Sequence, residues 1–228
     1  MKKRVPNQKV DEVGDEEYSV DQHGVIHQQP PYDIIAYDRK YVEDRYAGIP
    51  EKVAEISNLR AGLLMGTTNP HQGDAVLDVG YGSGGFMAVI NQLGLKSCGV
   101  DVSGYPVPDG CYQVTEDEML YCHWHAITFF DSVEHMIPSI LSTLNTSYVM
   151  ISAPWCHEQP GSEWFARWKH RRPDEHLYHF NTDSLELMRV SYGFKEIWRG
   201  NPEDSIRLPE DNRENILTSV FIRQDLAE

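Results

Sequence analysis

The run Val76-Leu77-Asp78-Val79-Gly80-Tyr81-Gly82-Ser83-Gly84-Gly85-Phe86 sets four glycines and a carboxylate between a strand-like and a helix-like segment. Glycines at such a junction allow a tight turn and let a ligand approach the backbone and the helix N-terminus. Asp101 ends the next strand-like run, where a carboxylate can accept hydrogen bonds from both hydroxyls of a ribose. Two spacings are satisfied at once. Gly80, Gly82 and Gly85 fit the dinucleotide pattern GxGxxG, while Asp78, Gly80, Gly82 and Gly84 fit DxGxGxG. Asp78 favours the second, because a carboxylate two residues before the first glycine suits a ligand ammonium group and suits a pyrophosphate poorly.

A second constellation is Asp131-Ser132-Val133-Glu134-His135, directly after a strand-like run. His135 is the candidate base, since an unperturbed imidazole titrates near ~6.5 and the C-terminal end of a strand is where α/β sheets bind ligands. Asp131 is read as positioning a reactant or capping the next turn, and Glu134 joins this catalytic set. Further on, Trp155, His157, Trp168, His170, Arg171, Arg172 and His176 are candidate substrate contacts. Arginine can clamp a phosphate or carboxylate in two-pronged fashion, and tryptophan supplies a flat wall for a sugar or base. Trp164 would add to that wall. Local pairing of the arginines with Asp174 and Glu175 is the competing reading. His123-x-His125 beside Cys122, and His176-x-x-His179, have ligand-like local spacing, yet no four ligands close into a structural zinc pattern. The expectation is therefore no metal, with hydrogen-bonded histidines lining a cleft. Glu134 and His135 as ligands remain a lesser alternative.

These groups need a scaffold, and the sequence supplies an α/β one. Strands are expected at 75–79, 97–102, 127–130, 148–152, 194–198 and 216–222. A helix is expected over 50–64, with Pro50 at its first position and Val53, Ile56, Leu59 and Leu63 on one face. Others begin near Phe86, Pro138 and Asp183, the last with Glu186 three residues on. Between Val102 and Ile127 the chain is turn-rich and no strand is assigned. Strand–helix alternation after a glycine turn implies a mostly parallel sheet with helices on both faces. Residues 1–30 read as a flexible acidic tail, 31–74 as a helical lid or brace, and 75–228 as the ligand-binding domain.

The DxGxGxG run, the second acid and the D-x-x-E-H segment together resemble class I S-adenosylmethionine-dependent methyltransferases of the type 11/12/23 group. The resemblance spans roughly residues 75–222. It implies a Rossmann-like fold: a seven-stranded, mostly parallel sheet with an antiparallel last strand. It also implies S-adenosyl-L-methionine as cofactor. Asp78, Gly80, Gly82 and Gly84 would hold its methionine end, Asp101 its ribose, and Asp117 with Met119 its adenine. Two other functions stay open: a cofactor-binding partner subunit without activity, and an NAD(P)-dependent oxidoreductase.

The chain has 228 residues, with 20 basic against 35 acidic side chains and a net charge of −15. Such acidity argues against a general binder of nucleic acid or anionic membrane, both of which require a basic face. Residues 167–172 nevertheless carry four of the basic side chains and no acid, which suits a small anionic or sugar-like substrate. No apolar run approaches the ~18 residues of a membrane span. The N-terminal MKKR has no apolar stretch behind it, and the four cysteines form no CxxC, so a cytoplasmic protein with free thiols is expected. Oligomeric state is not legible.

Overall fold

The computed structural model describes residues 17–209 and 212–227. In chain order the strands and helices are β1 (Tyr18–Val20), β2 (Ile26–Gln28), α1 (Arg39–Tyr46), α2 (Pro50–Thr68), β3 (Ala75–Val79), α3 (Gly85–Gln92), β4 (Lys96–Val100) and β5 (Tyr112–Gln113). There follow α4 (Glu116–Tyr121), β6 (Trp124–Phe130), β7 (Thr146–Pro154), α5 (Glu163–Arg167), β8 (Tyr178–His179), α6 (Thr182–Tyr192), β9 (Phe194–Gly200) and β10 (Ile216–Arg223).

Seven strands make one sheet in the order β5-β4-β3-β6-β7-β10-β9. The pairs from β5 to β7 are parallel, and β10 runs antiparallel to both β7 and β9. The order reverses at β3, which opens a crevice beyond the C-terminal ends of the parallel strands. Period-two alternation sends neighbouring residues to opposite faces. Leu77, Ile127, Phe129, Val149 and Ile151 pack with Leu185 and Met188 of α6. Val76, Ala126, Met150 and Val220 pack with Ala61 and Leu64 of α2 and with Phe86 and Ile90 of α3. The fold expected from the sequence is the fold present.

Helix α2 begins at Pro50 as expected and runs beyond 64 to Thr68, where Asn69 caps it in the left-handed conformation. Its buried stripe is Ser57, Ala61, Leu64 and Thr68, and Val53, Ile56, Leu59 and Leu63 are only half-buried. The small residues allow close approach to α3: a Cβ added to Gly85 would lie 2.7 Å from Val53 Cγ1 and 2.8 Å from Ser57 Oγ.

The reading of residues 1–30 as a flexible tail is corrected for its described part. β1 and β2 form a hairpin, and β2 pairs with β8 to complete a small three-stranded sheet. Asp21 closes the turn by accepting from the backbone N–H groups of His23 and Val25. Tyr18 and Ile26 bury themselves against Cys156 and Phe165. Residues 1–16 lie outside the described residues. The helix cap near 183 is Asn181, paired reciprocally with Ser184, instead of Asp183 with Glu186. Pro138–Thr143 is a 3₁₀ turn.

Candidate active site

The turn from β3 into α3 winds through Gly80, Gly82 and Gly84, at φ 76°, 53° and 77°. Other residues rarely adopt those values, and neighbours close in on the turn. A Cβ on Gly80 would meet Ser132 Cβ at 2.7 Å, and one on Gly82 would meet the Tyr46 hydroxyl at 2.9 Å. Asp101 folds back onto the turn. Gly82 N donates to its Oδ2 at 2.9 Å, and Ser103 N donates to its Oδ1 at 2.7 Å. Each carboxylate oxygen therefore keeps acceptor capacity for a ligand hydroxyl.

Asp78 lies beneath the turn, 4% exposed, and accepts from Thr128 Oγ1 at 2.8 Å. Burial pushes its carboxyl up to about 7, against the opposing pull of the Thr128 hydrogen bond and Arg60. The assignment of Met119 to an adenine wall is corrected. Its side chain belongs to the main core, and its carbonyl accepts from the Trp124 indole N–H at 3.0 Å. Asp117 stands exposed in the first turn of α4.

After β6 the chain turns at Asp131, which adopts φ 52°. Its Oδ2 accepts from Arg60 Nη2 at 3.0 Å and Arg207 Nη1 at 2.8 Å. Both arginines also bind the fully buried Glu203, Arg60 through Nε at 2.7 Å and Arg207 through Nη1 at 3.1 Å. Burial opposes ionisation of Asp131, but the two guanidinium groups prevail and hold the carboxyl below the usual carboxylate range.

Ser132 presses on Gly80, and two residues on is Glu134, 1% exposed, with no hydrogen-bond partner among the described residues at either carboxylate oxygen. Burial pushes its carboxyl up to about 8, with Asp131 adding to the effect. His135 Nδ1 lies 2.5 Å from the Glu175 carbonyl and 3.0 Å from the Tyr37 hydroxyl. Burial lowers the pKa of His135.

The predicted substrate residues divide into two groups. His135 meets His176 edge-on at 5.0 Å, His176 stacks with His170 at 6.3 Å, and His170 meets Trp168 at 5.5 Å. Trp168 stacks on Trp164 at 5.2 Å, Trp164 meets His157 at 5.7 Å, and His157 stacks on Trp155 at 5.1 Å. One aromatic line thus runs from the D-x-x-E-H segment to the end of β7, and a cavity of about 600 Å³ opens beside Trp164 and Trp168. The expected arginine clamp is not formed. Arg171 pairs with Glu17 at 2.9 Å and lies over the Tyr18 ring, and Arg172 pairs with Glu175. Local and hairpin acids take both guanidinium groups.

Sequence reasoning missed Arg60, Glu203 and Arg207, which meet only through the fold. It also missed Tyr37, Tyr41 and Tyr46. Their recurrence along 37–46 was a usable signal: Tyr37 and Tyr41 reach His135 and Glu175, while Tyr46 reaches Gly82.

The chain matches the family model described as a methyltransferase domain over residues 41–197. No curated protein matches. Among solved structures, it resembles a chain of the complex between the Haloferax volcanii Trm112 methyltransferase activator and its methyltransferase. The TM-score there is 0.55 at 13% identity, over 81% of this chain and 92% of that one. Magnesium protoporphyrin IX methyltransferase of Synechocystis PCC 6803, with bound S-adenosylhomocysteine, matches at 0.52 and 15% identity, covering 77% and 84%. The YcgJ protein of Bacillus subtilis matches at 0.51 and 15%, covering 72% and 97%.

Proposed function

This chain belongs to the methyltransferase-domain family, and from that premise we propose that it methylates a small sugar-like acceptor, using S-adenosylmethionine as donor. The nicotinamide alternative gives way to the family match. S-adenosylmethionine supplies a methyl group on a positively charged sulfur, open to in-line attack by a nucleophile.

The observation that carries this reading is the pairing of Asp101 with the glycine turn at the point where the strand order reverses. The turn fits that cofactor. Asp78 is a buried carboxyl that burial pushes up to about 7, and a ligand ammonium beside it would favour its ionised form. Gly80, Gly82 and Gly84 leave the backbone bare of side chains, and Asp101 retains acceptor capacity for ribose hydroxyls. On the acceptor side, the aromatic line from His135 to Trp155 offers flat rings to a sugar face. The pairing of Arg171 and Arg172 with acids withdraws support from the anionic form of the acceptor. The chain's part in catalysis is then orientation and exclusion of water, which a displacement reaction depends on.

Calorimetric titration with S-adenosylhomocysteine tests the reading. Saturable binding is expected, and Asp101→Ala should weaken it about tenfold or more through two lost hydrogen bonds to the ribose, with the fold retained by circular dichroism. A folded chain that does not bind S-adenosylhomocysteine overturns the reading. Unchanged affinity in Asp101→Ala overturns the ribose assignment alone. Binding without methyl transfer to any of a panel of glycosides and nucleotide sugars would favour the inactive-subunit alternative.

A further inference from the structure

We propose that Glu134, His135 and His176 form a pocket for the primary ammonium group of the methyl acceptor, which makes that acceptor an aminated, sugar-like compound. One side-chain oxygen or ring nitrogen from each of the three lies within 4.8 Å of the other two. Glu134 and His135 come from the turn after β6, and His176 from the segment before β8. That the ammonium belongs to a methyl acceptor rests on the methyl-transfer reading, whereas its binding does not.

Charge points to a cation. Glu134 is 1% exposed, and neither carboxylate oxygen has a hydrogen-bond partner among the described residues. The cations that face it are Arg60 and Arg207, and Asp131 and Glu203 hold both. Two positive and two negative groups cancel in that network, so it leaves Glu134 without a counter-ion. A buried carboxylate in this condition is costly unless a cation with its own N–H donors meets it.

The hydrogen-bond inventory points the same way. His135 Nδ1 lies 2.5 Å from the Glu175 carbonyl and His176 Nδ1 lies 2.9 Å from the His170 carbonyl. A carbonyl only accepts, so Nδ1 carries the proton in each ring and Nε2 keeps its lone pair. Burial keeps both rings neutral, lowering His135 and taking His176 down to about 2. His170 adds another acceptor. Its Nε2 donates to Asn215 Oδ1 at 3.0 Å, and Asn215 is oriented by its Nδ2 donating to the Arg207 carbonyl at 2.8 Å, so His170 Nδ1 keeps a lone pair. A ligand hydroxyl brings one donor to such surroundings, whereas a primary ammonium brings three and the matching charge. Acceptors about 2.9 Å from one tetrahedral nitrogen stand about 4.7 Å apart, which the spacing of the three side chains admits.

The surroundings suit the rest of such a molecule. His176 stacks with His170 and His170 meets Trp168, so flat rings lead away from the pocket on one side. On the other, Ser132, two residues before Glu134, touches Gly80 of the glycine turn. A cationic acceptor reverses the sign expected from the basic run 167–172, whose Arg171 and Arg172 are paired with Glu17 and Glu175. It also agrees with the net charge of −15, which draws cations towards the chain.

The test is titration of the full chain with methylammonium, tetramethylammonium and methanol, followed by saturation-transfer NMR, with and without S-adenosylhomocysteine. Methylammonium has the charge and three donors, tetramethylammonium the charge alone, and methanol one donor without charge. Methylammonium should bind saturably and about tenfold or more tightly than either of the others. Glu134→Gln and His176→Ala should each weaken it about tenfold or more, and His71→Ala, at an exposed site, should not. Equal binding of the two cations overturns the pocket, because surface charge then accounts for both. Absence of saturable methylammonium binding by a chain that still binds S-adenosylhomocysteine overturns it too, as does binding that survives both pocket variants. If a variant fails to fold, the wild-type comparison of the two cations decides. Methylammonium binding without S-adenosylhomocysteine binding upholds the pocket and overturns the methyl-transfer reading.

Discussion

Asp78 is a buried carboxyl whose ionisation opposes the fold. Its carboxyl is raised from an ordinary value near 3.8 to about 7 by burial. The folded chain therefore holds a proton there more tightly than the unfolded chain. Stability linked to this group is fully present below about 3.8 and is lost as pH rises through about 7. Asp78→Asn cannot ionise, and its amide oxygen can still accept from Thr128. The Asn variant should thus gain a few kcal/mol relative to wild type at pH 8, with little or no gain at pH 4, while losing affinity for S-adenosylhomocysteine. Calorimetric melting at both pH values measures this, and an equal offset at the two would contradict it. Asp78 stood out in the sequence because its neighbours in the chain are the glycines of the turn. The fate of Arg171 did not, since its partner Glu17 stands 154 residues away. Arg60, Glu203 and Arg207 escaped for the same reason.

At the scale of elements, legibility followed length and apolar content. β3, β6, β7 and β10 are five to nine residues long and largely apolar, and all were expected within a few residues of their bounds. β5 has two exposed residues behind Pro106, Pro108 and Gly110, so no alternation could register. The β1–β2 hairpin has three-residue strands in an acidic context, and it is held by contacts to Phe165 and β8 that no local window contains. The α2 helix was found, but its buried stripe was displaced, because small residues at close helix contacts look polar in a hydropathy pattern. That helix also carries Arg60, which ties α2 to the turn after β6. Arg60 lies over the Phe130 ring at 4.3 Å and holds Asp131 and Glu203 together. Arg60→Ala would leave two buried carboxylates to Arg207 alone and should cost about 3–5 kcal/mol. Urea unfolding reports it as a lowered midpoint with an unchanged slope, and a loss under ~1 kcal/mol would show that the network is worth no more than a surface ion pair.

Across the whole molecule, the net charge of −15 bears on the exchange of product for donor. No helix among the described residues is long and apolar enough to cross a membrane, and the acidity finds its use in the donor. S-adenosylmethionine carries a sulfonium, an ammonium and a carboxylate, and so a net positive charge. Transfer of the methyl group removes the sulfonium charge and leaves a product with no net charge. A protein this acidic attracts the first and is nearly indifferent to the second, so its field favours exchange of product for fresh donor. The Debye length falls from about 30 Å at ~0.01 M salt to about 8 Å at ~0.15 M, which screens all but the nearest charges. Affinity for S-adenosylmethionine should fall over that range while affinity for S-adenosylhomocysteine stays nearly constant. Paired calorimetric titrations at the two salt concentrations measure the ratio of dissociation constants. A ratio that does not change with salt would mean that Asp78 and the immediate surroundings of the turn account for charge selection, and that the acidity of the remaining surface contributes nothing to it.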